Sequence, residues 1–168
     1  TASQEPPLQG MALMAAFYLN ELILNFIRRG DPHPGLFMAY AEALAELRQG
    51  PDSEPALRRF ELRLLAEAGY GLNLDHDVLN DVALDPHGSY EYRIEHGPVP
   101  AEAGKGDLVL SGLTLLAISR GELTDPGVLQ SAKRLLRGVL AHYLDGRTLR
   151  TRQVLASMRR VPAVPQLS

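Results

Sequence analysis

Asp75-His76-Asp77, with His87 and His96 downstream, holds oxygen and nitrogen donors of the kind that bind divalent metals. Asp75, His76, His87 and His96 could on that basis serve a small metal-dependent hydrolase. Adjacent residues on an extended segment point to opposite sides, however, so spacing alone does not make the three neighbours converge. Glu21 is a second candidate, because a carboxyl set in an apolar helix can become a tuned acid. A Glu satisfied by a neighbouring Arg or by backbone groups is the plainer reading. The chain has no Cys, so thiolate metal sites, disulfides and a cysteine nucleophile are excluded. It has no nucleophile elbow, phosphate loop, dinucleotide fingerprint or zincin motif. Catalysis has no positive support.

The arginines are more informative. In "EPALRRFELRLLAE" Leu57, Phe60 and Leu64 fall at i, i+3 and i+7, and Leu65 widens the apolar stripe. Arg59 and Arg63 share a face, while Arg58 sits nearer the stripe's edge. An Arg at such a margin can lay its stem on hydrophobes and hold its guanidinium at the rim, where it can grip a carboxylate through two hydrogen bonds. The blander alternative is a pair of surface i,i+4 bridges, Glu54 to Arg58 and Arg63 to Glu67, each worth about 0.3–0.5 kcal/mol. The net charge of −3 also conceals an asymmetry. Residues 126–168 hold eight basic residues and one acid, so that region is +7, against −10 for residues 1–125. A basic face of this kind attracts polyanions or acidic peptides, unless it is merely solvated.

The elements that must position these residues are mostly helical. Residues 1–8, with Pro6-Pro7, read as a linker. Residues 8–29 form a helix apolar on nearly all sides, the mark of a central buried one, in which Asn20, Glu21 and Asn25 need internal partners. Helices are expected at 36–49, at 54–68 after the capping run Asp52-Ser53, and at 111–120, 125–144 and 147–158. Between residues 72 and 106 the pattern changes: Asp85-Pro86-His87-Gly88 is turn chemistry, and Tyr90, Tyr92 and Ile94 alternate with charged residues as in a strand. The expected fold is mainly α, a bundle-like domain of about six helices spanning 9–160 with a small β-ribbon inserted at 72–106. Residues 161–168 are expected to be a mobile tail. No apolar run reaches the ~20 residues of a membrane span, so a soluble, cytoplasmic protein is expected.

"FYLNELILNFI" (17–27), "LFMAYAEALAELR" (36–48), "PALRRFELRLLAEAGYGLNL" (55–74) and "AKRLLRGVLAHYLDGRTLRTRQVL" (132–155), in this order, resemble the helical C-terminal region of the bacterial recombination mediator family RecO. The resemblance runs from about residue 8 to 158. It implies a non-enzymatic protein that binds DNA, anneals complementary strands, recognises the acidic C-terminal tail of the single-stranded-DNA-binding protein and, with RecR, helps load RecA. The family's N-terminal OB-fold is expected upstream of Thr1, and without it DNA binding should be weak.

The family commonly carries a four-cysteine zinc site after "GY". Here that place is taken by "LNLDHDVLNDVALDPHGSYEYRIEHG", so the resemblance implies a lost zinc site, no metal and no cofactor. The apolar packing of Val78, Val82, Leu84, Tyr90, Tyr92 and Ile94 is expected to hold the insert instead. For the tail, the resemblance points to Arg58, with Lys133, Arg134 and Arg137 as rim cations and Leu57, Leu136 and Phe37 as pocket wall. Arg58 and Lys133 are expected to be surface residues. Arg147, Arg150, Arg152, Arg159 and Arg160 are expected to meet phosphates, with an affinity that falls steeply with salt. The alternatives are the metal-dependent hydrolase above and a purely structural helical dimerisation module.

Overall fold

The computed structural model describes residues 5–103 and 105–159. Among these are six helices: α1 (Gly10–Phe26), α2 (Pro34–Gln49), α3 (Glu54–Glu67), α4 (Gly112–Ser119), α5 (Pro126–Leu144) and α6 (Arg150–Arg159). Five short strands fall between α3 and α4: β1 (His76–Asp77), β2 (Val82–Ala83), β3 (Ser89–Arg93), β4 (Gly97–Pro100) and β5 (Val109–Ser111). The fold is therefore mainly α with a small β insert, as the patterning predicts. The expected mobile tail and Arg160 lie outside the described residues.

α3 lies in the middle of the bundle, packed against α1, α2 and α5. Its Leu57, Phe60, Leu64 and Leu65 are all buried and meet Leu19 and Leu22 of α1 and Leu135, Leu136, Val139 and Leu140 of α5 in one core. Each such side chain, when fully buried, contributes roughly 1.5–3 kcal/mol of hydrophobic stabilisation. Gly69 ends this segment at φ +88°, a left-handed conformation that costs a residue without a Cβ little.

α1 departs from the expectation of a helix buried all round. Leu13, Phe17 and Leu24 are exposed at 39%, 49% and 73%, because they recur at i, i+4 and i+11 on a side that no other described element covers. Of the polar residues of α1, Asn20 is exposed, while Asn25 and Glu21 find partners within the protein. Asn25 Nδ2 donates to the Glu21 carbonyl at 2.8 Å, one turn back. The Glu21 carboxylate accepts the Arg150 amide at 2.6 Å and the Thr151 amide at 3.3 Å. It thus caps the first turn of α6 from another helix, satisfying two of the amides that a helix N-terminus leaves open. Glu21 is structural.

The insert is two small antiparallel sheets rather than a single ribbon: β1 pairs with β2, and β3 lies between β4 and β5. Leu84, Tyr90 and Tyr92 are buried as expected, but Val78 and Val82 are exposed at 40% and 52%. Buried Leu74, Val99 and Leu110 stand in their place: Val78 lies in the turn after β1, and Val82 belongs to β2, both of whose residues are exposed. Asp77 organises the tip, accepting the Leu79 amide at 2.9 Å, the Asn80 amide at 3.2 Å and Asn80 Nδ2 at 2.7 Å. Burial pushes its pKa up, but those bonds outweigh it and hold the carboxyl below the usual range. Its contribution is present above the ordinary carboxylate range and is lost as the pH falls through the lowered value.

Glu21→Ala is expected to destabilise the domain by about 1–2 kcal/mol. It should also speed hydrogen exchange at the Arg150 and Thr151 amides ahead of the rest of the bundle. Unchanged protection at those two amides would contradict the capping role.

Candidate functional site

The face of α3 that carries Arg58 meets α1, α5 and α6 around one small pocket of about 80 Å³. It is lined by Tyr18, Glu54, Leu57, Arg58, Lys133, Arg137, Arg152 and Ala156. Helical spacing explains the gathering: Glu54, Leu57 and Arg58 stand at i, i+3 and i+4 on α3, and Lys133 and Arg137 at i and i+4 on α5. Four cations from three helices therefore converge on one opening.

Arg58 is not the rim residue expected from its place at the stripe's edge. It is only 6% exposed, because Glu61 one turn on occupies a core position and is fully buried. Arg58 Nη2 lies 2.9 Å from Glu61 Oε1 and 3.9 Å from Glu54 Oε2. The Tyr18 hydroxyl donates to the same Glu61 oxygen at 2.5 Å. Burial pushes the Glu61 carboxyl above its usual range, opposed by the Arg58 guanidinium and the Tyr18 hydrogen bond. Burial, and then Glu61, also hold the Tyr18 hydroxyl well above its ordinary range, so it stays protonated and donates. Arg58 Nε and Glu61 Oε2 have no hydrogen-bond partner among the described residues.

Lys133 is the better rim residue. It is 23% exposed and donates to Glu54 Oε1 at 3.0 Å, tying α5 to the first turn of α3. Arg134 and Arg137 are exposed on α5, and only Arg137 lines the pocket. Leu57 forms part of the wall, whereas Leu136 is fully buried in the core and Phe37 is 75% exposed on α2, away from the opening.

The residues expected to meet phosphates are divided. Arg152 lines the pocket, while Arg150, two positions earlier and some 200° around α6, stands exposed on another side. Exposed Arg147 bonds the carbonyls of Leu144 at 3.0 Å and Asn25 at 3.4 Å. Arg159 belongs to α6. Tyr18, Glu54, Glu61 and Ala156 were not among the expected site residues. Glu61 had a signal, since it falls at i+4 from Leu57 and i−3 from Leu64, inside the apolar stripe.

A larger groove of about 410 Å³ runs between α2, α3 and the end of α4. Of its three cations, Arg59, Arg63 and Arg120, the first two are engaged by the protein's own acceptors. Arg59 Nη1 pairs with Glu46 at 2.7 Å and Arg59 Nε donates to the Gly121 carbonyl at 3.1 Å, while Arg63 lies 3.5 Å from Glu67. Glu42 and Glu46 add negative charge to its lining, so it suits an acidic ligand less well than the smaller pocket.

Two residues of the hydrolase alternative have local partners. His76 lies 3.9 Å from Asp81 and His96 Nδ1 is 3.2 Å from the Ile94 carbonyl. Among the described residues no three His, Asp or Glu side chains stand close enough to hold a metal ion.

Residues 8–153 match the family model described as Recombination protein O C terminal, which places this helical domain among recombination proteins. The chain belongs to the RecO family, as its C-terminal domain. It is 45% identical over 157 residues to the DNA repair protein RecO of Nitrosospira multiformis and 44% over 158 to that of Azoarcus sp.. Identity to the protein of the same name from Alkalilimnicola ehrlichii is 46% over 165 residues. These matches cover 92%, 92% and 94% of this chain and 65%, 65% and 63% of the relatives, so the chain spans about two thirds of their length. No helix among the described residues is long and apolar enough to cross a membrane.

Arg58→Ala is expected to cost about 3–5 kcal/mol in urea unfolding, since it leaves Glu61 buried without its cation. Lys133→Ala, at the rim, is expected to cost under about 1 kcal/mol. Replacing the pair together, Arg58→Met with Glu61→Leu, should recover most of the loss; a double variant as unstable as Arg58→Ala would contradict the buried-pair account.

Proposed function

We propose that this chain is the non-enzymatic, partner-binding domain of a recombination mediator. Its cationic pocket would receive the acidic C-terminal tail of the single-stranded-DNA-binding protein. The observation that carries this reading is the convergence of Arg58, Lys133, Arg137 and Arg152 on an opening walled by Leu57, the Tyr18 ring and Ala156. A tail that pairs carboxylates with a terminal Phe needs such a surface, cations for the acids beside apolar wall for the ring. The roles divide by burial. Arg58, locked by Glu61, holds its guanidinium in place before any ligand arrives, which lowers the ordering cost of binding. Lys133 and Arg137, more exposed at the rim, set the rate of encounter and its salt dependence.

In this reading the exposed Arg147 and Arg150, with Arg159 further along α6, supply sequence-independent phosphate contacts. In the whole protein the domain then supports strand annealing and, with RecR, the loading of RecA onto DNA. Membership of the RecO family supports this assignment.

Fluorescence anisotropy of a labelled acidic peptide ending in Phe with a free carboxylate tests the reading. Saturable binding is expected, with loss on amidation or Phe→Ala in the peptide, and weakening of about ten-fold in Lys133→Ala. Binding should also weaken as salt rises past roughly 0.1–0.15 M, where the screening length falls to about 8–10 Å. Binding indifferent to both the Phe and its carboxylate would reduce the pocket to general electrostatics and contradict the proposal.

A further inference from the structure

The pocket is not empty of carboxylate. Glu54, in the first turn of α3, lines it and bonds Lys133 Nζ through Oε1 at 3.0 Å, while its Oε2 lies 3.9 Å from Arg58 Nη2. It therefore occupies, from within the chain, the place between a rim Lys and a locked Arg that an incoming carboxylate requires. At about 80 Å³ the opening is also far below the roughly 300 Å³ at which small-ligand sites begin, and Glu54 is one of the side chains that narrow it.

We infer that Glu54 is a built-in competitor. It holds the carboxylate seat closed in the free domain and must be displaced from Lys133 when an acidic tail binds. This rests on the receptor reading above and adds its gate. The two acids cannot share the seat at full strength, because like charges at such range repel and Lys133 has one ammonium to give. Displacement of Glu54 releases a cation and widens the opening at once, so a carboxylate and an apolar side chain gain entry in the same movement. Glu54 is the residue suited to move: its side chain is 18% exposed and sits in an exchangeable rim pair. Glu61 is fully buried and fixed by both Arg58 and Tyr18.

Selectivity follows from exchange. A ligand without a free carboxylate offers Lys133 nothing in return for Glu54 and is refused, while one that brings several acids meets exposed Arg137 first and then replaces Glu54. The gate thus lowers the affinity of every ligand that must enter the seat, a cost that only a ligand carboxylate recovers by taking Lys133 in exchange.

Glu54→Gln tests this, since it keeps the shape and the place in the helix and removes only the charge. Measured with the same labelled Phe-terminated acidic peptide, the variant is expected to bind about five-fold or more tightly, with a steeper fall of affinity with salt, because one more cation is left for the ligand to neutralise. The amidated control peptide should gain less, widening the preference for the free carboxylate, because only that carboxylate can take the ammonium that Glu54 gives up. A residue that merely shaped the helix end would leave the salt slope and that preference unmoved. Binding by the native chain with equal or weaker affinity in Glu54→Gln overturns the competitor role and leaves the receptor reading intact. No saturable binding by either protein overturns the receptor reading, and the gate with it. A circular-dichroism melt of the variant within a few degrees of the native chain establishes that the comparison is between folded proteins.

Discussion

The arrangement depends on one buried ion pair. Glu61 lies inside the apolar stripe of the central helix, where an unpaired carboxylate would cost several kcal/mol, and it is tolerated because Arg58 and the Tyr18 hydroxyl both reach it. That requirement sets the register of α1 against α3 at the level of Tyr18, and it draws the Arg58 guanidinium inward to the floor of the pocket. A pair of this kind adds little net stability over a hydrophobic replacement. Its consequence is positional: it presents a cation at a fixed point, in surroundings where water screens it weakly.

Around that fixed point the structure is graded from buried to exposed. Glu61 and Arg58 are nearly without exposure, Glu54 and Lys133 are partly open, and Arg137 and Arg134 face solvent. The grading matches what acidic-peptide recognition demands, with outer charges for encounter, an exchangeable pair at the rim and a pre-positioned guanidinium at the base. α6 closes the remaining side by bringing Arg152 and Ala156 to the pocket. Its first turn is held by Glu21 of α1, so the pocket wall depends on a cap supplied across 129 residues of chain.

The helices could be read from period and punctuation, because the apolar stripes of α2, α3 and α5 and the breaks at Gly30-Asp31-Pro32 and Gly69 are local properties. Three of the expected tail-binding cations also share one face, since Lys133 and Arg137 are a turn apart and α3 packs against α5. What escaped the sequence is long-range. Arg58 reads as a rim residue until Tyr18, 43 positions from Glu61, shows that Glu61 is part of the core. Leu136 and Phe37 have the right chemistry for a pocket wall, yet helix rotation buries one and turns the other to a different side. α1 looks central by composition, but three of its large apolar residues share a stripe that no helix among the described residues covers. The insert, which in shape could pass for a ligand-bearing loop, is held by Asp77 and its hydrogen bonds to Leu79 and Asn80, a local device that only coordinates reveal.

The most direct test of the central claim is a map of amide chemical-shift changes in the isotope-labelled chain as a Phe-terminated acidic peptide is added. The account predicts that the largest changes fall at Glu54, Leu57, Lys133, Arg137 and Arg152, with the Arg58 guanidinium resonance shifting while its slow solvent exchange persists. Changes centred instead on Met38, Glu42, Arg59, Arg63 and Arg120, the lining of the larger groove, would place the acidic-peptide site on the other side of α3 and contradict the account.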